Sequence, residues 1–163
     1  MSAPPFGLRL RRVADRIGGQ GQHAFSRLGI RLDARKASLV YLMHEGGAAT
    51  STELAAASGL SRQLVEARLK QLVAANYVTS APSPNDARKR MYSLMPEARA
   101  DAERAIAAMK DFEAVFRDLW RETGLDANAA LAALEAALER RPLLGRLCER
   151  FPHHQEAAEE TVP

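Results

Sequence analysis

Residues 50–98 read TSTELAAASGLSRQLVEARLKQLVAANYVTSAPSPNDARKRMYSLMPEA, and the spacing of small, polar and apolar side chains along them decides the fold. Thr50, Ser51 and Thr52 place side-chain oxygens before a helical run, and Glu53 adds a negative charge where first-turn N–H groups are free. Leu54, Ala55 and Ala57 give this short helix a small apolar face. Gly59 supplies the left-handed residue that ends it, and Leu60 packs back as the chain turns. Ser61 caps a second helix, in which Val65, Leu69, Leu72 and Val73 recur as one buried stripe while Arg62, Gln63, Glu66 and Lys70 face outward.

Asn76 tolerates the left-handed conformation after this second helix, and Tyr77, Val78 and Thr79 are strand formers. Pro82, Pro84, Asn85 and Asp86 make a turn within 81–87, and Met91 to Leu94 return as a second strand. Arg88, Lys89 and Arg90 stand in a row at its tip and exit. A short helix, a Gly-containing turn, a longer helix with a polar early face, and a basic hairpin form a helix-turn-helix with a wing. That layout places a helix in a DNA major groove and a guanidinium in the minor groove or on phosphates.

These residues resemble the winged helix-turn-helix of the multiple antibiotic resistance regulator (MarR) family. Its wing is written roughly as Asp-x-Arg followed by a strand ending in Leu-Thr and a Gly. Asp86 and Arg88 match the pair and Leu94 matches the strand end, whereas Met95 and Ala98 stand where the family favours Thr and Gly. The resemblance covers Leu28 to Ala98 and is architectural outside it. It implies that Asp86 orients Arg88 for the minor groove, that the protein pairs as a homodimer, and that many relatives are repressors released by small aromatic acids or by cysteine oxidation.

Specificity does not carry over, because Leu64, Glu66 and Ala67 occupy positions where the family often has Thr, Thr or Ser, and Arg. From their own chemistry, Gln63 suits adenine, Arg62 suits guanine or a phosphate, and Glu66 accepts from cytosine N4 or else repels the backbone. The expected DNA-contacting set is Ser61, Arg62, Gln63, Glu66, Lys70, Asp86, Arg88, Lys89 and Arg90.

The chain has 163 residues, 47% of them hydrophobic and 26% charged, which suits one compact domain with a core. No apolar run reaches the ~18 residues of a membrane helix, and MSAPPFGLRLRR lacks the apolar centre of a secretory signal, so a cytoplasmic location is expected. Net charge is only +3, but it is unevenly spread. Residues 1–40 hold eight basic and two acidic side chains, residues 62–90 six and two, and residues 91–163 nine and fourteen. Positive charge therefore collects on the N-terminal segment and on the proposed DNA-contacting unit.

The flanks read as pairing helices. Leu10, Val13, Ile17, Ala24, Phe25 and Leu28 fit one stripe, interrupted by Gly18, Gly19 and Gly21 at about 1 kcal/mol each, either by a break into two helices or for close approach of a partner helix or ligand. Ala34 to His44 reads as a helix burying Ala37, Val40 and Tyr41. Pro96 opens a long helix carrying Ala102, Ala105, Ile106, Met109, Phe112, Phe116, Leu119 and Trp120, with Gly124 at its end. Asp126 caps a further helix with Leu131, Leu134 and Leu138, and Pro142 breaks it before Leu143 to Phe151. The expected fold is mainly α with a small β-hairpin wing: a winged helix-turn-helix core flanked by N- and C-terminal dimerisation helices. Its parts are an N-terminal helical segment (1–33), the winged unit (34–95), C-terminal pairing helices (96–151) and a polar tail (152–163), in a single compact domain.

An effector bound between pairing helices and winged unit would meet Arg16, His23, Tyr41 and His44 as polar wall residues of an apolar cleft. The single cysteine, Cys148, excludes an intrachain disulfide, and it lies far from the N-terminal position of the family's redox cysteines. His153 and His154 are adjacent, not the i, i+4 pair that zinc favours, so no metal is expected. No cofactor and no catalytic residue is expected either, since no nucleophile elbow, phosphate loop or spaced His/Cys/Asp set appears. The expected partners are double-stranded DNA, a second copy of the chain and a small aromatic or other apolar ligand, with no membrane. The contrasting reading is a winged-helix protein-interaction module that has lost strong DNA binding, which Glu66 and Ala67 favour.

Overall fold

The computed structural model describes residues 4–84 and 86–155. The chain divides into two compact units, Met1–Phe112 and Glu113–Pro163. The first contains α1 (Phe6–Arg27), a 3-10 turn (Ala34–Lys36), α2 (Ala37–Gly46), β1 (Ala49–Thr50), α3 (Ser51–Ser58), α4 (Arg62–Ala74), β2 (Val78–Ser83) and β3 (Asp86–Leu94). A second 3-10 turn (Pro96–Ala98) leads into α5 (Arg99–Thr123), which is followed by α6 (Ala127–Arg140) and α7 (Leu143–Arg150). The architecture is mainly helical with one small antiparallel sheet.

The helix ends follow the capping chemistry of the sequence. Thr50 and Glu53 form a reciprocal capping box on α3, and Gly59 closes that helix with φ 67°. The Ser61 hydroxyl accepts from the Leu64 N–H at the start of α4, and Asn76 follows that helix with φ 52°. In the second unit, Asp126 accepts from the Ala129 N–H to cap α6, Pro142 precedes α7, and Phe116 stacks on Trp120.

The core of the first unit draws on every one of its helices. Phe25 of α1, Leu39, Val40 and Met43 of α2, Leu54 of α3, and Val65, Leu69 and Leu72 of α4 are buried together with Tyr77, Val78, Ala102 and Ala105. Phe25 also stacks against Phe112, with ring centroids 6.3 Å apart. Burying such side chains contributes roughly 1.5–3 kcal/mol each, which is what fixes the helix-turn-helix in space.

Several expectations are corrected. Val73 is 37% exposed because it lies seven residues beyond Glu66, on the outward row of α4. Ala57 is exposed on α3, and Tyr41 is exposed because the buried arc of α2 is rotated toward Leu39 and Met43. Residues 34–36 form a separate 3-10 turn rather than the start of α2. The N-terminal glycines do not break α1, which runs unbroken through all three. A Cβ at Gly21 would meet only Ala34 Cβ, at 3.9 Å, and at Gly19 nothing.

The hairpin is longer than the turn residues suggested. Pro82 belongs to β2 and pairs with Arg90, and β3 begins at Asp86. The strand order is β1-β3-β2, so β2 is an edge strand on which a proline lacking its N–H is tolerated. β1 had no signal of its own. Its two residues pair with Tyr92 and Met91 of β3, tying the wing to the first residues of α3.

Candidate nucleic-acid interface

On α4, Ser61, Arg62, Gln63, Glu66 and Lys70 are all exposed, while Val65, Leu69 and Leu72 hold the helix to the core. The Arg62 Nε donates to Glu66 Oε1 at 2.9 Å, and the Ser51 hydroxyl of α3 reaches the same oxygen at 3.4 Å. The negative charge of Glu66 is thus matched within its own helix. Glu53, which caps α3, is held below its usual range by the hydrogen bonds of the Thr50 N–H and hydroxyl, with a further contribution from the Lys89 charge. It therefore stays ionised beside the basic wing.

The two wing arginines do different things. Asp86 Oδ1 accepts from the Arg88 backbone N–H at 3.1 Å and from its Nε at 3.2 Å, and the Arg88 side chain is 92% exposed. Arg90 lies across the hairpin, its Nε donating to the Ser80 hydroxyl at 2.6 Å and its Nη2 to the Ser80 carbonyl at 3.0 Å. Arg88 is therefore presented to solvent by a local carboxylate, while Arg90 braces the two strands.

Residues 35–89, from the first 3-10 turn into the wing, match the model of the MarR family. Over these residues the chain is similar to that family. The fold of the larger chain is also found in solved regulators. The MosR regulator of Mycobacterium tuberculosis in complex with DNA is 22% identical, with a TM-score of 0.68 over 86% of this chain and 100% of that one. BpsR of Bordetella bronchiseptica, described for regulation of its DNA binding by 6-hydroxynicotinic acid, is 20% identical, with a TM-score of 0.61 over 87% and 96%. The C80S mutant of MarR from E. coli with operator DNA is 22% identical, with a TM-score of 0.57 over 83% and 92%. At this identity the likeness concerns the fold. No curated protein matches the chain.

Behind the winged helix-turn-helix stands a polar node that the sequence did not reveal. Asp101, 3% exposed in the first turn of α5, accepts the Tyr77 hydroxyl. It also accepts the Arg31 N–H at 3.0 Å, and Arg104 Nη2 at 2.5 Å. Arg104 donates further to the Gly29 carbonyl at 3.2 Å. Burial pushes the Asp101 carboxyl upward, but the donors Tyr77, Arg104 and Arg31 outweigh it and hold the group below its ordinary value. The Tyr77 hydroxyl is pushed well above its ordinary value by burial and by its bond to that carboxylate. The node locks the residue that follows the α4 cap to the loop after α1 and to α5.

Arg16, His23 and Tyr41 are exposed and His44 is half-buried. A cavity of about 380 Å³ lies between the first 3-10 turn and the flank of α4, lined by Asp33, Arg35, Lys36, Leu64, Ala67, Arg68 and Gln71. Asp33 caps that turn through the Arg35 N–H and pairs with Lys36 Nζ at 2.8 Å. Among the described residues no cluster of metal-ligating side chains occurs, and no helix is long and apolar enough to cross a membrane. Cys148 is a half-buried free thiol on α7. The last eight residues of the expected polar tail, and Asn85 of the turn, lie outside the described residues.

Proposed function

We propose that this protein is a sequence-specific DNA-binding transcription regulator, a repressor acting as a homodimer on a pseudo-palindromic operator. The observation that carries the reading is the pairing of two features on one compact unit. One is a helix whose polar early face is fully outward, and the other is a wing whose Arg88 is held by Asp86 and left 92% exposed. Ser61, Gln63 and Lys70 line the helix, and Lys89 joins Arg88 on the wing. The DNA complexes of MosR and of the E. coli MarR mutant support the same role for this fold.

Pairing of two chains is supported by apolar side chains that each unit leaves uncovered. Leu10, Val13 and Ile17 are exposed along α1 in the first unit, and Leu143, Leu144 and Leu147 along α7 in the second. Two-fold pairing would set two recognition helices about one DNA turn (~34 Å) apart or a multiple of it. Light scattering at micromolar concentration tests this, and a monomer would remove both the dimer and the two-half-site mechanism.

Release by a small acid completes the proposal. The cavity beside α4 sets the cations of Arg35 and Arg68, with Lys36 paired to Asp33, next to the apolar Leu64 and Ala67. An aromatic carboxylate seated there would press on the helix that meets DNA, with Arg16, His23, Tyr41 and His44 as a second, separate set to test. The direct experiment is selection of genomic fragments by the purified protein. Enrichment of a pseudo-palindromic site supports the regulator reading. Failure to enrich any site at low salt would favour the protein-interaction alternative, in which the fold is retained without DNA affinity.

A further inference from the structure

The recognition helix carries one side chain whose charge is wrong for DNA, and its geometry gives it a use. Glu66 Oε1 takes the Nε edge of Arg62 at 2.9 Å, four residues earlier on α4, and the Ser51 hydroxyl reaches the same oxygen from α3 at 3.4 Å. A guanidinium has two forks, one shared between Nε and a terminal nitrogen and one between its two terminal nitrogens. Glu66 engages the Nε edge. The Nη1 and Nη2 ends of Arg62 have no partner among the described residues, and the side chain is 68% exposed.

We propose that Glu66 is a positioning residue rather than a base reader. It holds Arg62 so that the terminal Nη1–Nη2 fork reads O6 and N7 of one guanine in each half-site, with Ser51 steadying Glu66 from the preceding helix. The inference rests on the DNA-binding reading above and deepens it by naming the base and the residue that selects it. Three chemical points support it. Arginine bidentate to guanine is the commonest specific major-groove contact, and the fork left open has the required geometry. Arg62 stands directly after the Ser61 cap, at the N-terminal end of α4 that a recognition helix points at base edges. Pairing also cancels the charge that Glu66 would otherwise bring against the phosphates, and it removes rotamer freedom from the long arginine before DNA arrives.

A selection from a half-site library randomised at every position tests this, with wild type, Arg62→Ala, Glu66→Ala and Glu66→Gln run side by side. Wild type is expected to prefer guanine at one position by on the order of ten- to hundredfold. Arg62→Ala abolishes that preference and leaves the other positions as they were. Glu66→Ala weakens it at the same position, and Glu66→Gln, which keeps an oxygen for the Nε bond, retains most of it. Relaxation of a separate cytosine position by Glu66→Ala would overturn the inference, as would a guanine preference untouched by either alanine variant. Those results leave DNA binding intact. Absence of any enriched site with wild type would instead sink the underlying reading and this inference with it.

Discussion

Asp86 accepts both the backbone N–H and the Nε of Arg88 through a single carboxylate oxygen, at 3.1 and 3.2 Å, two residues apart on the wing. The carboxylate aims the guanidinium without burying it. Asp86→Ala is therefore expected to weaken operator binding less than Arg88→Ala, because the cation survives and only its orientation is lost. In the double variant the effects should fall short of additive, since Asp86 acts through Arg88. A double-mutant cycle by anisotropy checks this, and full additivity would show that Asp86 has a separate role.

Breaking the Asp101 node should destabilise the first unit. Asp101→Ala leaves the Tyr77 hydroxyl and the Arg31 N–H without their acceptor, a loss of about 1–3 kcal/mol in urea unfolding at neutral pH. The folded Asp101 carboxyl titrates below its unfolded value of about 3.9. Its contribution is therefore present above that value and fades as pH falls through the folded one. Tyr77 has the opposite sign: its folded value is raised, so its contribution is complete below about 10 and is lost as pH climbs beyond. The wild-type minus Asp101→Ala stability difference should shrink in acid. A difference independent of pH would contradict the assignment.

Two apolar positions of the α4 stripe, Leu69 and Val73, should respond differently. Leu69 is fully buried and Leu69→Ala is expected to cost about 2–5 kcal/mol. Val73→Ala, on the outward row, should stay within about 0.5 kcal/mol. Thermal or urea unfolding of the two variants decides, and equal costs would mean that Val73 is covered.

Much of the fold was legible because its determinants are local. Thr50, Gly59, Ser61, Asn76 and Asp126 each act on backbone groups within a few residues, so capping chemistry located the helix ends. The hairpin was misjudged because Pro82 reads as a turn residue, and only the sheet order shows that it sits on an edge strand. Asp101 was illegible for a different reason. Its partners Tyr77 and Arg31 are 24 and 70 residues away, and nothing in the local pattern of α5 marks a buried acid. Asp86, Arg88 and the outward face of α4 were readable from spacing. The bracing of Arg90 by Ser80 and the tether of Arg62 to Glu66 needed coordinates.

Removing the α3 cap should reach the wing. Thr50 closes the capping box with Glu53 and also pairs with Met91 of β3. Thr50→Ala is expected to cost about 1 kcal/mol, and Thr50→Ser to restore most of it. Hydrogen exchange should show faster opening of the α3 amides together with β3. An effect confined to α3 would separate the cap from the strand.

The most direct measurement is fluorescence anisotropy of the wild type and of Arg88→Ala on the selected operator at two salt concentrations. Wild-type affinity should fall steeply as salt rises. Arg88→Ala should bind more weakly at both concentrations and lose about one unit of the log–log salt slope. Equal affinities and equal slopes for the two proteins would contradict a wing that carries its arginine into DNA.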